Sequence, residues 1–226
     1  MENQNEIVFE CDAIIFDLDG TLVDSAKCIE KMWKIWANEN NIDYQKINSV
    51  AAGRTTLETM KMVAPDLATK GMADDFAERE SKETEGLKQI DGAKEILESI
   101  PKELWAIVTS GSKLLATSRI VNSGLPFPET LVTSDDITNG KPNPEPFLKA
   151  AHRLGVIPEK CVIFEDSVSG INAAVAAGAK VIGINTKKLR EIDAVVKNFI
   201  DVNISYIESP NKPKLRIEVK KEYFSR

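Results

Sequence analysis

The stretch Asp12-Ala13-Ile14-Ile15-Phe16-Asp17-Leu18-Asp19-Gly20-Thr21-Leu22-Val23-Asp24-Ser25 decides how this chain is read. Ala13 to Phe16 is a short apolar, partly β-branched run, the pattern of a strand covered on both faces in a parallel sheet. Asp17 follows at the strand's carboxyl end, where open α/β sheets bind their ligands. Asp19 comes two residues later, so in extended chain both carboxylates point the same way. Gly20 then permits a sharp turn. Two carboxylates this close repel each other unless a cation or a proton intervenes. The stretch therefore fits a hard-metal site with a reactive carboxylate, since Mg²⁺ prefers oxygen ligands. Taken alone, Asp-x-Asp-Gly also fits a solvated turn.

Outward from this stretch, the chain alternates textures. Ala26 to Asn38 carries Ile29, Met32, Trp33 and Trp36 at helical spacing. A loop near Asn40 to Asp43 follows, then Val50-Ala51-Ala52-Gly53-Arg54-Thr55-Thr56, a helix over Leu57 to Val63 stopped by Pro65, and further charged helix over Leu67 to Glu85. No strand pattern is read between about residues 25 and 90, which predicts a helical insert. From Asp91 onward strands alternate with helices: strands over Leu104–Val108, Thr130–Thr133, Cys161–Phe164 and Val181–Ile184, with Phe199–Val202 a further candidate. Helices are read over 93–100, 113–123, a run opened by Pro142 to Pro146, and 170–177. Gly124 and Gly178 close two of them. This alternation predicts an α/β fold, a parallel Rossmann-like sheet with helices on both faces, plus a small α-helical cap. The expected division is a core of residues 1–23 and 91–226 and a cap of residues 24–90. The tail Lys214 to Lys220 alternates charged and apolar residues and reads as an edge strand.

Composition narrows the function classes. The 226 residues suffice for one large or two modest domains. A net charge of -6 argues against a nucleic-acid footprint. No apolar run approaches a membrane span, and the polar, acidic Met1–Glu6 is no secretory signal. Cys11, Cys28 and Cys161 are scattered and odd in number, so neither a disulfide framework nor a zinc site is expected, and a cytoplasmic location fits. The single histidine, His152, reads as an ordinary helix residue and leaves no Ser-His-Asp triad to build. No Gly-x-x-x-x-Gly-Lys-Ser/Thr phosphate loop is present.

Three further strand ends carry polar groups: Thr109-Ser110-Gly111, Lys141, and Glu165-Asp166. In a parallel sheet they converge on the edge that holds Asp17 and Asp19. Such a constellation suits phosphoryl transfer, which needs positive charge and N–H donors around the phosphoryl oxygens. Mg²⁺ held by Asp17 and Asp166 supplies most of that charge, and Lys141 supplies more. The Thr109 hydroxyl and the N–H groups of Ser110 and Gly111 are the expected phosphate ligands.

Asp17-Leu18-Asp19-Gly20-Thr21-Leu22-Val23-Asp24-Ser25, followed in order by Thr109, Lys141 and Glu165-Asp166, resembles the four motifs of the haloacid dehalogenase superfamily. The insert between the first two motifs resembles its helical-cap branch. Trp105 to Ser112, Asn139 to Pro146 and Phe164 to Gly178 are similar to bacterial sugar phosphatases and to fungal glycerol-phosphate and deoxyglucose-phosphate phosphatases. The resemblance implies an aspartyl-phosphate on Asp17, Asp19 as general acid and then base, and Mg²⁺ on Asp17, the Asp19 main-chain carbonyl and Asp166, with Glu165 nearby. It implies hydrolysis of a small sugar or polyol phosphate by a monomer, without nucleic-acid or membrane partners. A hexose-phosphate mutase resembles the same core and cap. A receiver-type phospho-Asp signalling module shares the acidic cluster but has about half this length and no insert. These relatives often carry His before the cap-loop glycine, where this chain has Ala52 before Gly53. Arg54 keeps a basic group there and reads either as a substrate contact in the cap or as a residue that caps or solvates the next helix.

Overall fold

The structure is a computed structural model, and it describes residues 6–187, 192–207 and 214–220. In chain order the elements are β1 (Glu6–Cys11), β2 (Ala13–Phe16), β3 (Val23–Asp24), α1 (Ala26–Glu39), α2 (Tyr44–Asn48), α3 (Thr56–Val63), α4 (Lys70–Ser81), β4 (Lys88–Gln89), α5 (Ala93–Ser99) and β5 (Trp105–Val108). There follow α6 (Lys113–Asn122), β6 (Thr130–Val132), α7 (Glu145–Arg153), β7 (Cys161–Glu165), α8 (Val168–Ala176), β8 (Lys180–Ile184), β9 (Ala194–Val196), β10 (Val202–Ile207) and β11 (Lys214–Lys220).

The main sheet is parallel, in the order β6-β5-β2-β7-β8-β9. β2 lies inside it, between β5 and β7, which explains why all four of its residues are apolar and buried. Alternate side chains serve two cores. Ile14, Phe16, Trp105, Ile107, Val162 and Phe164 pack with α5 and α6 on one face. Ala13, Ile15, Ala106, Val108 and Ile163 pack with Phe147 and Ala150 of α7 and Ile171 and Ala174 of α8 on the other. The small residues of α8 let it lie close to the sheet. The expected α/β fold is thus present.

The helices between residues 26 and 81 share a third core. In α1, Met32, Trp33, Trp36 and Ala37 are buried at helical spacing, against Ile47, Met60, Ala73 and Phe76. The Trp33 ring lies 4.3 Å from that of Phe76. α3 opens with a capping box in which Thr55 and Glu58 satisfy each other's backbone N–H groups. The two chain crossings into this helical unit are paired: Val23 and Asp24 oppose Gln89 and Lys88 in a short antiparallel ladder.

Several expectations need correcting. The helix expected over Leu67 to Glu85 covers only Lys70–Ser81. Thr69 caps its start, and a separate 3₁₀ turn spans Pro65–Leu67. A short strand, β4, does occur before residue 90, and α2 fills what read as featureless chain. Phe199 turns instead of extending: its N–H donates to the Asp91 carbonyl and its carbonyl accepts from Val202, so β10 starts at Val202. The Phe199 ring packs against Phe16 and Phe164, which stack on each other. β9 was not anticipated.

The largest correction concerns the tail. β11 is the middle strand of an antiparallel sheet, β1-β11-β10, not an edge. Ile217 opposes Phe9 on one side and Ile204 on the other. Leu215, Ile217 and Val219 point into the core beneath β5, β2 and β7, while Arg216 and Glu218 pair on the outer face. The alternation was legible, but its partner β1 was hidden in the short Ile7-Val8-Phe9 run. Of the polar, acidic stretch Met1–Glu6, read as no signal, residues 1–5 lie outside the described residues. Cys11, Cys28 and Cys161 are free and buried, and His152 is an exposed residue of α7.

Because Ile217 is fully buried, Ile217→Ala is expected to cost about 2–5 kcal/mol through lost burial and a residual cavity. Urea unfolding of the purified variant checks this.

Candidate functional site

The site is assembled at the carboxyl edge of the parallel sheet. Phe16 is in register with Phe164, and the Asp17 N–H continues the ladder to the Phe164 carbonyl. Asp17 and Glu165 therefore emerge side by side. Thr109 continues β5 in the same way, its N–H donating to the Val132 carbonyl. Asp17, Glu165 and Asp166 each present a carboxylate oxygen within 4.8 Å of the others.

Lys141 is the counter-charge. Its Nζ donates to Asp17 Oδ1 at 2.6 Å, stands 3.6 Å from Glu165 Oε2, and lies 5.1 Å over the Phe147 ring. Burial and three carboxylate neighbours act on this ammonium together. The carboxylates win, so its pKa is raised and it stays charged. Burial pushes the Asp17 carboxyl up, against the pull of Lys141. Burial and Asp17 likewise push Glu165 well up, and Asp166 up to about 7. Three carboxylates facing one ammonium are short of positive charge.

The residues fit a divalent cation. Asp17 Oδ2 is buried and has no hydrogen-bond partner among the described residues, which leaves it free as a ligand. Gly20 runs at φ +91°, and a Cβ there would stand 2.1 Å from Asp166 Oδ2. A Cβ on Gly170 would stand 1.8 Å from Glu165 Oε2. Ser167 donates its hydroxyl to Glu165 Oε1 and accepts the Gly170 N–H, holding that carboxylate against the start of α8. An all-oxygen cluster of this kind suits a hard divalent cation such as Mg²⁺, Ca²⁺ or Mn²⁺ over a softer one that prefers nitrogen or sulfur.

The other expected residues are distributed less simply. The Asp19 side chain is not in the carboxylate cluster. It turns towards Arg119, whose Nε donates to Asp19 Oδ1 at 3.2 Å. The Gly111 N–H, expected to face phosphate, donates instead to Thr109 Oγ1 at 3.0 Å. The Ser110 hydroxyl donates to the Gly53 carbonyl, tying core to cap. Arg54 does line the same cavity of about 120 Å³ as Asp17, Thr109 and Asp166. One of its guanidinium nitrogens also donates to the Val50 carbonyl at 2.6 Å. Gly53 is pressed against α8: at φ +71°, a Cβ would stand 2.2 Å from both Ser167 Oγ and Ser169 Oγ. A second cavity of about 540 Å³ opens beside Asp19 and Asp166, walled by Trp33, Tyr44, Gln45 and Asn48.

Two polar residues at the site escaped the sequence reading. Arg119 lies on the apolar stripe Leu115, Ala116, Ile120 of α6, and Glu80 on the stripe Ala73, Phe76, Ala77 of α4. A charge on a helix's buried face is the signal that would have found both. Glu58 was also missed: beyond its capping role it accepts the Gly140 N–H, next to Lys141.

Known proteins resemble the chain in sequence and in fold. The family model described as haloacid dehalogenase-like hydrolase matches residues 14–184. The chain belongs to that family. Among its relatives, hexitol phosphatase A of Escherichia coli is 34% identical over 210 residues, covering 89% of this chain and 96% of the relative. Glycerol-1-phosphate phosphohydrolase 2 of Saccharomyces cerevisiae is 32% identical over 210 residues, covering 85% and 84%. Among solved structures, a hydrolase from Pseudomonas syringae superposes with TM-score 0.69 at 27% identity, covering 81% of this chain and 92% of that one. The match starts at β2 and ends with β8, so β9 to β11 lie beyond this haloacid dehalogenase-like segment. Among the described residues, no helix is long and apolar enough to cross a membrane.

Since Gly170 leaves room for the Glu165 carboxylate, Gly170→Ala should move that group and weaken divalent-cation affinity by about 10–100-fold, as changes behind metal ligands commonly do. Calorimetric titration with Mg²⁺, alongside a melting curve that reports the fold, checks this.

Proposed function

We propose that this protein hydrolyses small sugar or polyol phosphate monoesters with Mg²⁺, through a phosphoryl group carried on Asp17. The observation that carries the reading is the Asp17–Glu165–Asp166 cluster with Lys141 bonded to Asp17 Oδ1 and Asp17 Oδ2 unpartnered. Asp17, Asp166 and the Asp19 main-chain carbonyl would hold the ion, with Glu165 behind them. When bound, Mg²⁺ shields the carboxylates from the phosphoryl oxygens and neutralises charge in the transition state.

In the first step an Asp17 carboxylate oxygen bonds to phosphorus in line with the departing ester oxygen. The P–O bond to the sugar breaks, and its electron pair leaves with that oxygen. A proton from Asp19 converts the leaving oxygen to a hydroxyl. In the second step Asp19 takes a proton from water, the water oxygen bonds to phosphorus, and Asp17 is released with inorganic phosphate. Lys141 and the Thr109 hydroxyl bind phosphoryl oxygens, and the Ser110 and Gly111 N–H groups join them if the loop turns its Gly111 N–H from Thr109. Lys141 also keeps Asp17 ionised for attack.

The second cavity supports a sugar or polyol as leaving group. Trp33 and Tyr44 offer apolar faces, and Gln45 and Asn48 offer hydrogen bonds of both signs to hydroxyls. The unit of residues 24–90 acts as a cap that excludes water during the first step. We expect the protein to act as a monomer in the cytoplasm.

A screen of phosphate release across sugar, polyol, glycolate and nucleotide monophosphates tests the class. Isomer formation without phosphate release from one hexose phosphate would favour a mutase instead. Asp17→Asn is expected to abolish turnover with the fold intact, because no other group takes its place as nucleophile. EDTA should silence the wild type, and Mg²⁺ should restore it. Full activity in either condition defeats the mechanism.

Arg54 supplies the test of the cap. Arg54→Ala is expected to raise KM for the preferred sugar or polyol phosphate, leaving hydrolysis of a small aryl phosphate nearly unchanged. Equal losses on both substrates would make Arg54 a support of the core, through its Val50 contact.

A further inference from the structure

Arg119 joins three elements. Its Nε donates to Asp19 Oδ1 at 3.2 Å, its Nη2 to Glu80 Oε1 at 2.8 Å, and its Nη1 to the Glu83 carbonyl at 3.2 Å. Asp19 belongs to the loop after β2, Arg119 to core helix α6, and Glu80 and Glu83 to the end of cap helix α4 and the turn after it. Arg119 is 0% exposed and Glu80 4%. Two charges are retained this deep only when each is paired, since a buried charge left alone is strongly destabilising. The planar guanidinium suits this position, because its donors diverge in fixed directions and the place of one carboxylate constrains that of the other.

The arrangement does more than hold helices together. Stability alone would be served as well by apolar residues on the stripes of α4 and α6 that Glu80 and Arg119 interrupt. The Arg119 fork instead grips the Asp19 carboxylate, which stands outside the Asp17–Glu165–Asp166 cluster. The opposite end of the fork reads whether α4 is seated. We propose that Arg119 is a positioning residue that aims the Asp19 carboxylate at the leaving oxygen, and that Glu80 makes this aim depend on the seating of the cap. The inference rests on the reading of Asp19 as acid and base. It makes proton transfer competent only when α4 is docked and water is excluded.

The test is a split by leaving group, with the variants Arg119→Lys, Glu80→Gln and the double variant. Asp19→Asn and the wild type serve as references. An alkoxide needs a proton to depart, whereas p-nitrophenolate does not. With the preferred sugar or polyol phosphate, Arg119→Lys and Glu80→Gln should each lower kcat by about 10²-fold, the cost of misplacing a reacting group by an ångström, with KM little changed. With p-nitrophenyl phosphate, the pre-steady-state burst of p-nitrophenolate should keep its wild-type rate, while the later turnover, which needs Asp19 as base, slows. The double variant should be no slower than the slower single one, because the groups act as a unit.

Parallel losses in the burst and in sugar-phosphate turnover would make Arg119 a packing residue and overturn the proposal. So would unchanged kcat in both single variants, or losses that multiply in the double. If Arg119→Lys does not fold, the near-isosteric Glu80→Gln carries the same test. Asp19→Asn separates the two readings. Normal sugar-phosphate turnover in that variant removes the acid–base role itself. Its collapse beside unaffected Arg119→Lys and Glu80→Gln leaves that role standing and defeats the positioning role alone.

Discussion

Like-charge repulsion at the carboxyl edge of the sheet is the constraint on which the rest of the site depends. Parallel pairing of β2 with β7 delivers Asp17 beside Glu165 and Asp166, whatever the surrounding loops do. Each carboxylate is raised above its ordinary pKa by burial and by its neighbours. The fold meets this load with one ammonium, from Lys141, and with an arrangement of oxygens into which a cation fits. Gly20 and Gly170 follow from the same constraint, because a Cβ at either position would occupy the space of a carboxylate. Ser167 follows too, as the hydroxyl that fixes Glu165.

The core was legible because its periodicity is simple. Ala13 to Phe16 reads as a buried strand, and the same reading holds for Cys161 to Phe164 and Trp105 to Val108. Since parallel strands present their carboxyl ends on one edge, the convergence of Asp17, Thr109 and Asp166 could be inferred before any coordinate. What escaped was of two kinds. β9 has only three residues, and the apolar run inside β1 is only Ile7 to Phe9, so each is defined by its partner more than by its own pattern. Arg119 and Glu80 were missed because a charge inside an apolar stripe looks like a break in the stripe. Only the packing of α4 on α6 shows that the two breaks face each other.

The role of β11 illustrates the limit of alternation as a signal. A strand with one apolar and one charged face announces a half-buried position, and that is where Leu215, Ile217 and Val219 lie. Alternation does not say whether both of the strand's edges are paired. Edge and centre differ in hydrogen bonding, which the side-chain pattern does not encode, so the partners β1 and β10 had to be seen.

The contacts between cap and core have a common character. Ser110 reaches the Gly53 carbonyl, Ser169 the Ala52 carbonyl, Gly140 the Glu58 carboxylate, and Arg119 both Glu80 and the Glu83 carbonyl. Ser110 adjoins Thr109, Gly140 adjoins Lys141, Ser169 stands three residues from Asp166, and Arg119 touches Asp19. The segments that bring polar groups to the sheet edge therefore also hold the helical unit, the Asp17–Asp19 loop through Arg119. An apolar interface of the same area would bind the unit as firmly, but its energy would be indifferent to where those loops stand. Hydrogen bonds are directional, so docking here is sensitive to the loops' geometry. The cost of bringing the helical unit down is thereby linked to the placement of Thr109, Lys141 and the carboxylates at the sheet edge.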